Sequence, residues 1–404
     1  MNGIKVEDIL QSSRLSLLGL DEKVPLDQWL TCPSCESGLK PICRLVGGSG
    51  KEIRVGLCGN CGYMGYMDRP SKDWMNDFYS QEWDKSFPRT IAEIRKATVM
   101  PGKGVKPSRY LAASLIEEIK PDKEKPVCEI GSGYGEVLKY LRDSGFKNII
   151  GIENSKRRAE LVRKTLAFNL LHGGFEDEKV QEQLAKQSPF GLIFSHHVLE
   201  HTYDPAEVLR KISFLQNEGD YLILALPNAD GEHINYALLY LVHLHSFTKE
   251  SLEMILNKNG YEILIDNSPD NSNTIIAAQK TRNPKLKFKL KNDYFDLVSR
   301  RIRKGLAMDE MRRPVWYALY WEQGFERDTA RATELGLFFL PRVRWFFKDK
   351  IAFVRSRFFK RFTPGYTMLV SPAGPEPVYS EFVESVEGNI FEIRFPDKIT
   401  FLIK

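Results

Sequence analysis

The sequence predicts an α/β protein: a mostly parallel sheet wrapped by helices, with a small cysteine module in front and a basic α+β region behind. Three observations carry this. Short apolar runs alternate with helical stretches from about residue 69 to residue 281. Five of the six cysteines crowd between Cys32 and Cys61. Residues 281–365 hold 21 Lys and Arg against 9 Asp and Glu, a balance of +12 in a chain of net charge +5, so the remainder is near −7. The 404 residues, 42% hydrophobic and 27% charged, suffice for two or three cored domains without a disulfide scaffold.

The expected order is a leader over 1–30 with one short amphipathic helix, the cysteine module over 31–68 and an aromatic connector over 69–104. The sheet domain follows over 105–281, then the C-terminal region over 282–404, helical at first and then in short strands. The leader's apolar residues are broken by Asp, Gln, Arg and Ser, unlike a signal peptide. No run of about 18 uncharged apolar residues occurs. The expected location is the cytoplasm.

In the module, Cys32–Cys35 and Cys58–Cys61 form two C-x-x-C pairs with 22 residues between them. Each pair makes a knuckle that points two thiolates at one metal, and four thiolates close a tetrahedral shell around a structural Zn²⁺. Gly38 and Gly62, just after the pairs, suit the tight turns. A redox role would need a surrounding βαβ pattern, which the segment lacks. Cys43 has no partner in the sequence.

The sheet domain opens with a helix from Arg109 to Ile119. Residues 126–130 (PVCEI) read as a buried strand, followed by the turn GSGYG (131–135) and a helix that stops at Gly145. Residues 148–153 form the second strand, followed by the helix KRRAELVRKTL and a short third strand after AFNLLHG. Residues 190–198 and 219–228 are the fourth and fifth strands. Between them lies a helix with Asp204 as cap and Pro205 in its first turn. A helix capped by Thr248 precedes the last two strands, YEILID and NTIIAAQK.

The glycine turn stands between a strand and a helix, where backbone N–H groups are exposed and glycine lets a ligand come close. Glu153 ends the next strand, placed to accept hydrogen bonds from both hydroxyls of a ribose. Glu129 precedes the turn and suits a ligand carrying an ammonium group. A dinucleotide site would need glycine at position 136. Glu136 stands there instead and would repel a pyrophosphate. S-adenosylmethionine has no phosphate and carries a positive sulfonium, so it fits this turn better.

VCEIGSGYG resembles the first motif of class I S-adenosylmethionine-dependent methyltransferases. SHHVLEHTYDP (195–205), LPN (226–228) and HSFTKESLEMIL resemble later segments of that family, together covering about 105–281. The resemblance implies a Rossmann-like, seven-stranded methyltransferase sheet. It implies Gly131, Gly133 and Gly135 against the methionine and adenosine parts, Glu129 near the methionine end and Glu153 on the ribose. The family's acid for adenine aligns with Gly174, with Phe175 beside it and Glu176 or Asp177 as substitutes. Zinc modules of this kind precede the domain in sugar C- and O-methyltransferases, and one class of ribosomal RNA methyltransferase also has one.

Methyl transfer to a hydroxyl or an acidic carbon needs a group to take up a proton, and histidine suits that task. His196, His197 and His201 follow the fourth strand at the carboxyl edge of the sheet, where open α/β folds bind ligands. His201 is the first choice for base, His197 is expected to line the cofactor pocket, and His245 is a second candidate. The alternative for each is a structural role. Glu232–His233 resembles a pair in deoxysugar C-methyltransferases. Tyr79 and Trp83 of the connector either cover the substrate or pack as a plain helix.

The basic region has three readings: a helical domain that is merely solvated or binds an acidic substrate, a membrane contact through 340–362 as an interfacial helix, or a nucleic-acid surface. The expected acceptor is a small polar molecule, a sugar nucleotide or a polysaccharide or natural-product intermediate. Its phosphates would use the basic surface. O- and C-methylation are not separable. The rivals are an RNA methyltransferase and a catalytically inactive module that binds S-adenosylmethionine. Against the first, SHHV stands where an Asn-Pro-Pro-Tyr-like motif would flip a base.

Overall fold

The computed structural model describes residues 23–46, 51–82, 107–168, 170–231, 241–268 and 273–307, and the backbone of six short strands beyond. The first strands belong to the cysteine module: β1 (Leu26–Gln28), β2 (Lys40–Val46), β3 (Glu52–Leu57), β4 (Met64–Tyr66) and β5 (Asp68–Pro70). β2, β3 and β4 run antiparallel, while β1 and β5 pair as a separate ribbon. Helix α1 (Lys72–Asp77), capped by the Ser71 hydroxyl, leads into a wider helical turn over Phe78–Glu82. Most of the leader, and Trp83, lie outside the described residues.

The central domain starts with α2 (Pro107–Ile119), β6 (Val127–Ile130), α3 (Glu136–Asp143), β7 (Ile149–Glu153) and α4 (Lys156–Leu166). It continues with β8 (Leu171–His172), α5 (Glu178–Ala185), β9 (Leu192–His196), α6 (Pro205–Phe214), β10 (Tyr221–Pro227), β11 (His245–Ser246), α7 (Lys249–Lys258), β12 (Tyr261–Asp266) and β13 (Asn273–Lys280). The expected seven-stranded sheet is present, in the order β12-β13-β10-β9-β6-β7-β8. β8, β7, β6, β9 and β10 are parallel; β13 and β12 are antiparallel additions at one edge.

Both faces of this sheet are covered, which is why its inner strands read as unbroken apolar runs rather than alternating ones. Val127, Leu192, Phe194 and Ile223 pack with Ala112, Leu115 and Ile116 of α2 on one side. Cys128, Ile130, Ile193 and Leu224 pack with Val208, Leu209, Leu252 and Ile255 of α6 and α7 on the other. The expected caps hold: Asp204 accepts from the amides of Ala206 and Glu207, and Thr248 from that of Ser251.

α5 was not among the expected helices. Its segment EKVQEQLA is strongly charged and buries only Val180 and Leu184, one turn apart. β11 leaves the central domain and pairs with β4, His245 opposite Gly65, so the module and the domain share a sheet edge. α8 (Tyr294–Ala307) closes the junction, with Arg301 donating to the carbonyls of Ala229 (3.0 Å) and Asp230 (3.1 Å).

Further on, β14 (Tyr317–Tyr320), β15 (Arg344–Lys348), β16 (Ile351–Arg355), β17 (Thr367–Val370), β18 (Glu381–Glu384) and β19 (Phe391–Arg394) are short strands. β15 and β16 pair antiparallel, which corrects the reading of 340–362 as an interfacial helix. Aromatic and β-branched residues dominate both stretches and favour the extended backbone. β18 and β19 are among the expected short strands and pair antiparallel, and β19 adds in parallel to β2 of the module. Among the described residues no helix is long and apolar enough to cross a membrane.

Candidate active site

β6 delivers the chain to the turn with Glu129 facing the α2 side of the sheet. Gly131, Gly133 and Gly135 all take left-handed backbone, with φ of 72°, 57° and 76°. At Gly131 a Cβ would stand 2.5 Å from Val198 Cγ2, so the turn leans directly on the segment after β9. Gly133 is buried, and only the Arg109 guanidinium comes within 4 Å of a Cβ built there, so the turn has room for one further group at this point. Glu153 braces it from β7, accepting from the Gly133 amide at 2.7 Å and the Ser155 amide at 2.9 Å.

Glu129 is 1% exposed, and neither carboxylate oxygen has a hydrogen-bond partner. Burial pushes its pKa well up; Arg109 opposes this, and Glu136 and Glu153 reinforce it. An unpartnered buried carboxylate beside a glycine turn suits a cation, such as the ammonium of a methionine moiety. Arg109 donates to Glu136 at 2.7 Å and lies over the turn. In the sequence Arg109 marks only a helix start and Glu136 only a missing glycine; the signal for their pairing lies in the fold.

Phe175 is buried with Ile150, Ile152 and Val180. Asp177 turns its carboxylate onto the Gly174 amide at 2.7 Å. Glu176 is half-buried, and burial raises its carboxyl despite Lys72 and Lys211 nearby.

Past β9, His197 takes a left-handed φ of 54°, uncommon for a residue with a side chain. Its Nε2 meets Asn273 Oδ1 at 2.7 Å, and its Nδ1 lies 3.2 Å from Glu200 Oε1. His196 is buried, with Nε2 at 3.0 Å from the Ser108 hydroxyl. Glu200 and His201 share one helical turn, Leu199–His201. His201 Nδ1 donates to the Val242 carbonyl (2.9 Å) and meets the Tyr79 hydroxyl (2.7 Å), so the neutral ring carries its lone pair on Nε2. Tyr79 of the connector thus reaches the site. Burial lowers the His201 pKa, with Glu200 and the Val242 carbonyl opposing. Burial alone would raise Glu200; His201, His197 and His243 override it and hold the carboxyl at about 2.

His245 is buried between Tyr63 and Thr202. Its Nε2 donates to the Thr202 carbonyl (2.8 Å), which leaves Nδ1 to accept from the Tyr63 hydroxyl (2.5 Å). Both nitrogens thus tie the module to the turn bearing His201. Tyr63→Phe should cost about 1–2 kcal/mol of stability by leaving Nδ1 unsatisfied, read as a shift in the denaturation midpoint. Glu232–His233 lies outside the described residues.

The four cysteine sulfurs lie within 4.8 Å of one another, with Cys32 to Cys61 at 3.5 Å and Cys35 to Cys58 at 3.3 Å, and none is in a disulfide. The two knuckles match. The Glu36 amide donates to the Cys32 carbonyl and the Gly62 amide to that of Cys58. Glu36 (φ 64°) and Gly62 (φ 75°) both take the left-handed conformation, so Glu36 fills the role expected of Gly38. Packed together, the thiols cannot all ionise alone. Cys32 is pushed up to about 12, chiefly by Cys58, and Cys61 is also raised, chiefly by Cys32. A dication would compensate all four, and the donor set fits zinc.

Residues 106–265 match the family model described as "Methyltransferase domain". The central region is a methyltransferase domain. The sheet, the glycine turn and the segment after β9 all fall inside the matched stretch, and the protein is an enzyme of methyl transfer. No curated protein matches the chain. Among solved structures, it is similar to an S-adenosylmethionine-dependent methyltransferase from Mesorhizobium loti (13% identity, 42% of this chain and 98% of that one, TM-score 0.34). It is also similar to the magnesium protoporphyrin IX methyltransferase of Synechocystis PCC 6803 with bound S-adenosylhomocysteine (14%, 52% and 100%, TM-score 0.37). A third is the 1,6-didemethyltoxoflavin-N1-methyltransferase of Burkholderia thailandensis (14%, 43% and 78%, TM-score 0.34).

Proposed function

We propose that this methyltransferase acts on a small polar acceptor, a sugar nucleotide or a related polysaccharide or natural-product intermediate, with a structural zinc ion held by Cys32, Cys35, Cys58 and Cys61. The carrying observation is the left-handed glycine turn beside the buried, unpartnered Glu129, which adjoins a histidine-lined segment through Val198. S-adenosylmethionine bound there supplies an activated methyl group on a positive sulfur. Glu129 meets its ammonium group, Arg109 stands ready for its carboxylate, and Glu153, which braces the turn, takes the ribose hydroxyls. Phe175 lies at the adenine end.

His201 is the group assigned to the acceptor's proton, its lone pair set on Nε2 by the Val242 carbonyl. His197 lines the cofactor side, and His245 takes a positioning role through Tyr63 and Thr202. His201→Ala should cut turnover at least a hundredfold while leaving cofactor affinity within about twofold; full-rate product formation would remove this assignment. The basic charge of 281–365 suits the phosphates of a sugar nucleotide.

The raised Glu129 pKa gives a pH signature. Below that pKa the carboxyl is neutral and attracts no ammonium, so cofactor affinity should climb with pH up to tenfold per unit and level off above it. Glu129→Gln should flatten the curve, as read by calorimetry across pH. The acceptor class is tested by a screen of sugar nucleotides and RNA with methyl-labelled cofactor. Label on a sugar nucleotide is expected. Label on RNA alone, with binding that falls steeply in salt, would replace this reading.

A further inference from the structure

We propose that Glu200, His201 and His243 form a second cation site, separate from the four cysteines, that takes a divalent metal ion at the acceptor end of the cofactor turn. One ligand atom from each residue lies within 4.8 Å of the others. Metal–ligand bonds of about 2.0–2.2 Å allow two ligands to stand about 4.4 Å apart at most. Adjacent ligands of one ion stand about 3.0–3.6 Å apart, and His201 Nε2 and Glu200 Oε1, at 3.8 Å, are already near that spacing.

The local chemistry asks for such an ion. Glu200 is fully buried, and its nearest polar neighbours are imidazole nitrogens, His197 Nδ1 at 3.2 Å and His201 Nε2 at 3.8 Å. His201 donates through Nδ1 to the Val242 carbonyl and so turns a lone pair on Nε2 toward Glu200 Oε1, 3.8 Å away. Two acceptors then face each other at a distance too long for a proton to bridge. A carbonyl on the far nitrogen is how a metal-bound histidine is commonly held. His243 completes the set from the chain leading into β11, its ring centroid 4.6 Å from that of His201.

Two imidazoles and one carboxylate suit Mn²⁺, Fe²⁺ or Zn²⁺ and leave coordination positions for a further ligand. Val198, which touches the glycine turn, is two residues from Glu200. The ion would therefore favour an acceptor with oxygen donors, a vicinal diol or a hydroxyl near a phosphate, and His201 would act on the acceptor's proton through the ion it holds. That placement rests on the methyltransferase reading; the cation site itself does not.

Mn²⁺ tests it, because thiolates are poor ligands for this hard ion. Zinc-loaded full-length protein is titrated with Mn²⁺ and the free ion is followed by electron paramagnetic resonance. One Mn²⁺ per chain is expected, with affinity at least tenfold weaker in both Glu200→Gln and His243→Asn. Uptake of S-adenosylhomocysteine by His243→Asn should be unchanged, which also shows that the variant folds. No Mn²⁺ uptake by the unmodified protein, or equal uptake by both variants, overturns the site. Cofactor uptake without Mn²⁺ would leave the methyltransferase reading standing; Mn²⁺ uptake without cofactor would do the reverse.

Discussion

Cys58→Ser is expected to empty the cysteine module of zinc and to loosen the acceptor side of the central domain with it. Cys58 sits 3.3 Å from Cys35 and its amide donates to the Tyr63 carbonyl, so it anchors one knuckle and the strand beyond it. That strand, β4, pairs with β11, and Thr248 donates to the Cys61 carbonyl at 2.9 Å. Zinc binding in small modules is worth about 10–16 kcal/mol, against about 5–15 kcal/mol for the net stability of a whole domain. Loss of one thiolate should therefore reduce zinc below about a tenth of an equivalent and lower the melting temperature by roughly 10 °C. Zinc content by mass spectrometry and thermal melts check both. A full zinc equivalent in the variant, or a melt unchanged by chelation of the unmodified protein, would contradict the assignment.

Gly131→Ala should abolish measurable cofactor uptake. The residue has φ of 72°, where a Cβ costs about 1–2 kcal/mol. The added methyl would also stand 2.5 Å from Val198 Cγ2, and relieving such crowding costs about 1–3 kcal/mol more. The turn must either shift or push the segment after β9 away, and the two surfaces that meet the cofactor then lose register. Affinity for S-adenosylhomocysteine should fall at least a hundredfold, about 2.7 kcal/mol, with a lower melting temperature. Unchanged affinity would show that the cofactor does not lie on this turn.

The central sheet was legible because its strands are buried on both faces and its helices carry local caps. Residues 126–130, 190–198 and 219–228 read as continuous apolar runs, and Asp204 and Thr248 mark helix starts by their own side chains. The missed features are non-local. α5 lacks an apolar stripe wide enough to announce it. His243 is one histidine in LVHLH until the fold carries it beside His201, some forty residues earlier. The link of β11 to β4 joins segments about 180 residues apart, and the parallel addition of β19 to β2 spans far more. Arg109 and Glu136 look unrelated until α2 lies over the glycine turn. In the module the C-x-x-C spacing announced the thiol cluster, while the left-handed residue of the first knuckle proved to be Glu36, a position that composition would not single out.

Calorimetric titration of S-adenosylhomocysteine into zinc-loaded protein at neutral pH bears most directly on these residues. One binding event per chain is expected, and Glu153→Ala should remove it while the fold survives. A well-folded, metal-loaded protein that releases no heat, or a Glu153→Ala variant that binds as tightly as the unmodified chain, would contradict the placement of the cofactor.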